Sequence, residues 1–192
     1  MKLRTAAALA ASTLGALVLG VSPASASPAC GATVSGMVTL TADLNCAGTD
    51  GLVVVGPRAL VDLNGYSITG DGTAGTAGIR VASGDVIVRG GTVAAFGDGV
   101  LVAGGRVVVE NVTASGNIDD GLAQTGGRIV VRTVTAEGNG GDGIELYGPG
   151  TVEGSTANAN GGDGITVAYV LDKGGNAAAG NGGTNCINVA CA

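Results

Sequence analysis

Four aspartates, Asp98, Asp120, Asp142 and Asp163, each stand directly before a glycine and recur every 21 to 22 residues, with Asp119 beside one of them and Asp50 further upstream. Carboxylates repeated at one spacing can line a single edge of a periodic structure. Stacked about 4.8 Å apart, they repel by roughly 0.9 kcal/mol per pair in water and about four times that at an effective dielectric near 20. They are therefore expected either to splay into solvent as a row of turns or to share a cation. Ca²⁺, which takes six to eight oxygens, is the one cofactor the pattern admits, with Asp98, Asp119, Asp120, Asp142 and Asp163 as its candidate ligands. Tyr147 and Tyr169 are candidates to stack on sugar rings. The chain has no His, which removes imidazole from any base, triad or metal scheme. Arg80 and Glu145 are the nearest approach to a base beside a carboxylate, yet three repeats separate them, about 14 Å at that spacing.

The repeat is a phrase of Gly followed by alternating apolar residues. It runs through Gly51-Leu52, Gly78-Ile79, Gly99-Val100, Gly121-Leu122, Gly143-Ile144 and Gly164-Ile165, at separations of 27, 21, 22, 22 and 21 residues. Second runs follow in register at Val86-Ile87-Val88, Val107-Val108-Val109 and Ile129-Val130-Val131. Third runs follow at Val112-Thr113-Ala114, Val134-Thr135-Ala136, Ser155-Thr156-Ala157 and Asn176-Ala177-Ala178, each turning at Asn117, Asn139, Asn160 or Asn181. No segment keeps helical periodicity over ten positions, so three short strands per repeat imply a β-solenoid. Ile79 and Val81 should face inward and Arg80 outward; Ile144 inward and Glu145 outward. The 38 glycines of the 192 residues then have a use: Gly at each corner supplies positive φ, and the Asp or Asn beside it bonds its own backbone two residues on. Asn64-Gly65 is locally a hairpin signal, but a β-sandwich leaves the period unexplained.

Val61-Asp62-Leu63-Asn64-Gly65-Tyr66-Ser67-Ile68-Thr69-Gly70 and Gly91-Thr92-Val93-Ala94-Ala95-Phe96-Gly97-Asp98-Gly99-Val100 resemble the right-handed parallel β-helix repeats of the pectate-lyase-like superfamily, especially its small secreted actinobacterial members. The resemblance covers roughly residues 38 to 181. It implies an all-β, single-domain right-handed parallel β-helix. Its galacturonan hydrolases carry a Gly-His-Gly motif, which a chain without His excludes, and its lyases gather Ca²⁺ carboxylates near a basic residue, which no position here matches. Gly70-Asp71-Gly72-Thr73-Ala74-Gly75 spells a dinucleotide-binding pattern, but no helix follows it.

Residues 1 to 26 read as a signal peptide, with Lys2 and Arg4 before an apolar run and Ala24-Ser25-Ala26 at the cleavage site. Residues 27 to 50 are expected to form an N-terminal cap segment, 51 to 181 the repeats in about six coils, and 182 to 192 a C-terminal cap segment. The net charge of −6, made more negative by loss of the two leader cations, argues against nucleic acid or anionic membranes as partners. An exported chain should carry its cysteines as disulfides. First and last coils about 24 Å apart cannot be bridged, which leaves Cys30 with Cys46 and Cys186 with Cys191, one staple at each end. The expectation is a secreted, monomeric, non-catalytic scaffold or polysaccharide-binding protein, with a small Ca²⁺-dependent uronate lyase as the alternative.

Overall fold

The computed structural model describes residues 27–192, so the leader reading of residues 1 to 26 lies outside the described residues. Eighteen strands, with no helix among the described residues, wind into about seven turns. The first turn holds Ala32–Val34, Met37–Thr39 and Leu44–Asn45; the second Leu52–Val54, Ala59–Asp62 and Ser67–Thr69. Ala77–Val81 with Asp85–Ala94 make the third, and Asp98–Val102 with Arg106–Ser115 the fourth. Leu122–Gln124, Arg128–Arg132 and Thr135–Glu137 make the fifth; Ile144–Glu153 and Thr156–Asn158 the sixth; Ile165–Asp172 and Ala177–Ala179 the seventh, with Cys186–Ile187 opening another. Every pairing is parallel and joins a strand to its counterpart one coil away. The segment expected to be an N-terminal cap is itself a coil, pairing Ala32 with Leu52 and Met37 with Leu60. This is why the count is about seven and not six.

The repeated phrases stack in the expected register. Leu52, Ile79, Val100, Leu122, Ile144 and Ile165 form one column, each fully buried, while Arg80 and Glu145 sit on the outward side. Alternation along the strand dictates this: with one face sealed inside the coil, a slip of one residue would bury Arg80 or Glu145.

Glycine works differently at two kinds of position. Gly116 (φ 61°) and Gly138 (φ 64°) occupy the left-handed corner after the third strand, as expected. The glycines of the repeated phrase do not have positive φ. A Cβ on Gly99 would lie 2.4 Å from the Gly121 carbonyl oxygen and 2.8 Å from Asn117 Nδ2, and one on Gly121 2.6 Å from the Gly143 oxygen. The phrase needs glycine because the next coil's backbone comes too close for any side chain, not because of its dihedral. Asn64 (φ 51°) and Gly65 (φ 83°) do form a left-handed pair, but they turn the chain from one parallel strand to the next instead of closing a hairpin.

The turn asparagines are also more than corners. Asn117, Asn139 and Asn160 are buried, and each side-chain Nδ2 donates to the Oδ1 one coil on: Asn117 to Asn139 at 2.8 Å, Asn139 to Asn160 at 2.9 Å, Asn160 to Asn181 at 2.9 Å. Each Oδ1 also accepts the backbone N–H of the preceding asparagine, and Asn139 and Asn160 Nδ2 reach back to Ala114 and Ala136 carbonyls. Phe96 takes the ladder's place in the third coil, where its N–H meets Asn117 Oδ1 at 3.1 Å. Inward third-strand residues change with it, from Ile68 and Val93 beside Phe96 to Ala114, Ala136 and Ala157 beside the amides. The Cys30–Cys46 and Cys186–Cys191 disulfides close the two ends, with Cα atoms 5.5 and 6.3 Å apart.

Candidate functional site

The outward face of the first strands carries the residues singled out for chemistry. Register places Arg80, Leu101, Ala123, Glu145 and Thr166 on consecutive rungs of one column, so Arg80 and Glu145 are three rungs apart. Beside this column run Asp98, Asp120, Asp142 and Asp163 at the corner that leads into each strand. Tyr147 (53% exposed) and Tyr169 (77% exposed) stand on adjacent coils at its downstream side. A bulge between Leu146 and Pro149 sets Tyr169 opposite Pro149, so the tyrosines are offset along the strand.

The aspartates neither splay nor bond their own backbone two residues on. Asp120 Oδ1 accepts the Asp142 N–H at 2.7 Å, Asp142 Oδ1 accepts the Asp163 N–H at 2.7 Å, and Asp163 accepts the Thr184 N–H. Asp98 contacts the Asp120 N–H at 3.4 Å. One oxygen of each carboxylate is thus occupied in joining coils, which is the physical reason for acids at this corner: the next coil's amide needs an acceptor. Asp119, one residue before the row, is exposed. Among the described residues no group of three or more such side chains converges in a geometry that would hold a metal ion.

Burial and crowding of like charge raise three members of this row, Asp98, Asp120 and Asp142. Burial pushes the Asp120 carboxyl up to about 7, with the Asp142 amide opposing and Glu145, Asp119 and Asp142 adding repulsion. Burial likewise raises Asp98 and Asp142. Glu145 is raised by burial and by the Asp142, Asp119 and Asp98 charges, against the Tyr147 hydroxyl, while Glu145 in turn holds the Tyr147 proton more firmly. Of these carboxylates Arg80 offsets only Asp98, and less than burial raises it, because the guanidinium is held by Asp50. Its Nε donates to Asp50 Oδ2 at 2.7 Å and its Nη2 to Asp50 Oδ1 at 2.9 Å and the Gly75 carbonyl at 3.0 Å. The Asp50 hydrogen bonds raise the guanidinium's pKa, the reverse of what a base requires.

Gln124 was not among the candidate residues and yet shapes this face. It lies in the inward column with Val102 and Leu146 and is fully buried. Its Nε2 donates to the Gly127 carbonyl at 3.1 Å and its Oε1 accepts the Gly148 N–H at 3.2 Å. Gly148 sits in the bulge that follows Tyr147, so a polar residue in an apolar column reaches the irregularity that sets the tyrosine spacing. A polar residue breaking an apolar column was the available signal.

A family model described as "Right handed beta helix region" matches residues 48–187. No curated protein and no solved structure matches the chain.

Proposed function

The chain belongs to the right-handed β-helix family, and from that membership we propose that it is a secreted, non-catalytic scaffold that holds a neutral extracellular polysaccharide along its first-strand face. The observation that carries the reading is the pair of exposed tyrosines, Tyr147 and Tyr169, on adjacent coils, with Glu145 beside Tyr147. Exposed rings offer apolar faces to sugar rings, and carboxylates accept hydrogen bonds from sugar hydroxyls. The acidic row favours an uncharged chain over a uronate, which it would repel. The Asp50 clamp on Arg80 supports a non-catalytic role, because the cation nearest the row is held protonated. The leader-like residues 1 to 26 and two disulfides support an oxidising, extracellular setting.

Co-sedimentation with insoluble neutral glucans tests this reading. The chain should be retained, and Tyr147→Ala and Tyr169→Ala should each weaken retention several-fold without altering the melting temperature. Retention indifferent to both substitutions would remove the tyrosine face from the account. Unsaturated uronate ends appearing on incubation with uronate polymers and Ca²⁺ would decide for a lyase instead.

A further inference from the structure

The second strands build a different outward face, which meets the tyrosine edge of the first at the Pro149–Tyr169 rung. Its central column is apolar except for one threonine: Met37, Leu60, Ile87, Val108, Val130, Thr151 and Leu171 in continuous register. Met37 is 78% exposed, Ile87 39% and Leu171 57%, and an open depression of about 600 Å³ lies between Met37, Leu60, Ile87 and Val108 with Arg58 and Arg106 on its rim. The downstream flank is charged with alternating sign. Asp62 pairs in register with Arg89, Arg89 with Glu110, Glu110 with Arg132 and Arg132 with Glu153. Lys173, next after the Asp172 that pairs with Val152, continues the row beside Glu153. Along the solenoid the column reads acid, base, acid, base, acid, base.

An alternating row with an even number of charges is its own complement when turned end for end. We infer that this face binds a second copy of the same chain, sheet against sheet, with the two solenoids antiparallel. Asp62 then faces Lys173 of the partner subunit, Arg89 faces the partner's Glu153, and Glu110 faces the partner's Arg132, each contact occurring twice by the two-fold axis. Leu60 meets the partner's Leu171 and Val108 the partner's Val130, so the column is covered from Leu60 to Leu171, with Met37 left beyond the end of the overlap. Coil set against like coil is the competing orientation. It opposes Arg128 to the partner's Arg132 and Pro149 to the partner's Glu153, leaving the C-terminal half unmatched. In the antiparallel arrangement the one like-charge meeting, Arg106 with the partner's Arg128, lies at the far rim, where Asp85 already holds Arg106 at 2.7 and 2.8 Å. Six rungs span about 24 Å and a strand of five residues about 16 Å, an area at the small, transient end of specific interfaces. The monomer expected from the sequence is thus the dilute form.

Sedimentation equilibrium of the purified chain tests the inference, from about 10 μM to about 1 mM, concentrations suited to a small interface. The expected result is a reversible dimer that weakens with added salt. Glu110→Arg and Arg132→Glu should each abolish it alone, by placing like charges across the two-fold. Mixing the two variants should restore a heterodimer, since Arg at position 110 of one then faces Glu at position 132 of the other. That recovery also proves both variants folded, and a merely intrachain role for the row cannot produce it. A wild-type chain that stays monomeric throughout, or a dimer indifferent to both substitutions, would overturn the inference; tighter association of Arg132→Glu would overturn the antiparallel orientation.

Discussion

Asp120 is the carboxylate most altered by its place in the fold, raised from 3.8 to about 7 chiefly by burial. Between those values the folded chain holds a proton that the unfolded chain has released, so stability must fall as pH rises through this window. Asp98, Asp142 and Glu145 are raised too and act with the same sign. Groups shifted downward, such as Asp85 by Arg106 and Asp172 by the Ala190 amide, contribute stability that is lost only as pH falls below about 4. The melting temperature is therefore expected to rise on acidification from pH 8 to pH 5. Asp120→Asn keeps an acceptor for the Asp142 N–H while removing the charge; it should melt higher than the parent at pH 8 and show a flatter pH profile. Each kcal/mol regained is worth roughly 2–4 °C in a chain of this size. A parent protein whose melting temperature falls steadily from pH 8 to pH 5 would contradict the buried row.

At the scale of the element, the two uses of glycine give opposite expectations. Gly121→Ala places a methyl 2.6 Å from the Gly143 carbonyl oxygen and 2.7 Å from Asn139 Nδ2, and should cost about 3 kcal/mol or more as coils are forced apart. Gly138, at φ 64° with nothing within 4 Å of an added Cβ, should accept Asn with a change below about 1 kcal/mol. Paired thermal melts decide it; equal losses would mean that dihedral angle alone governs both. The sequence made the columns legible because the period is written in Leu52, Ile79, Val100, Leu122, Ile144 and Ile165. A period names which residues share a row but not what each row touches. Hence Asn117, Asn139 and Asn160 could be read as corners when they are buried and bonded to one another, and the aspartate row as splayed when its oxygens serve the next coil. Gln124 and the Gly148 bulge are marked less plainly for the complementary reason: each occurs once, so no period points to it. Alternation put Arg80 and Glu145 on the outward side, where they lie, while the tyrosine offset depends on that bulge.

For the whole molecule the weak points are its ends, since a solenoid without closure leaves a coil of strand edge and apolar interior open. Cys30–Cys46 and Cys186–Cys191 lie at those ends, and by loop entropy they contribute about 3 and about 2 kcal/mol. Reduction should lower the melting temperature by several degrees, with amide exchange accelerating first in the terminal coils and last around Val109 and Val131, the middle of the core. Uniform acceleration along the chain would show that the ends are not where unfolding begins. The asparagine ladder sets a further condition on length. Because Asn117, Asn139 and Asn160 make the same bonds to their neighbours, a chain in which Asn117 were joined directly to Gly140 would still lay Asn117 on Asn160 and close without a gap. It would also lose Arg132, and the charged row of the second face would have an odd number of members. Folding accepts any whole number of coils; pairing with itself depends on parity, so duplication or loss of one coil would keep the fold and switch off the partner.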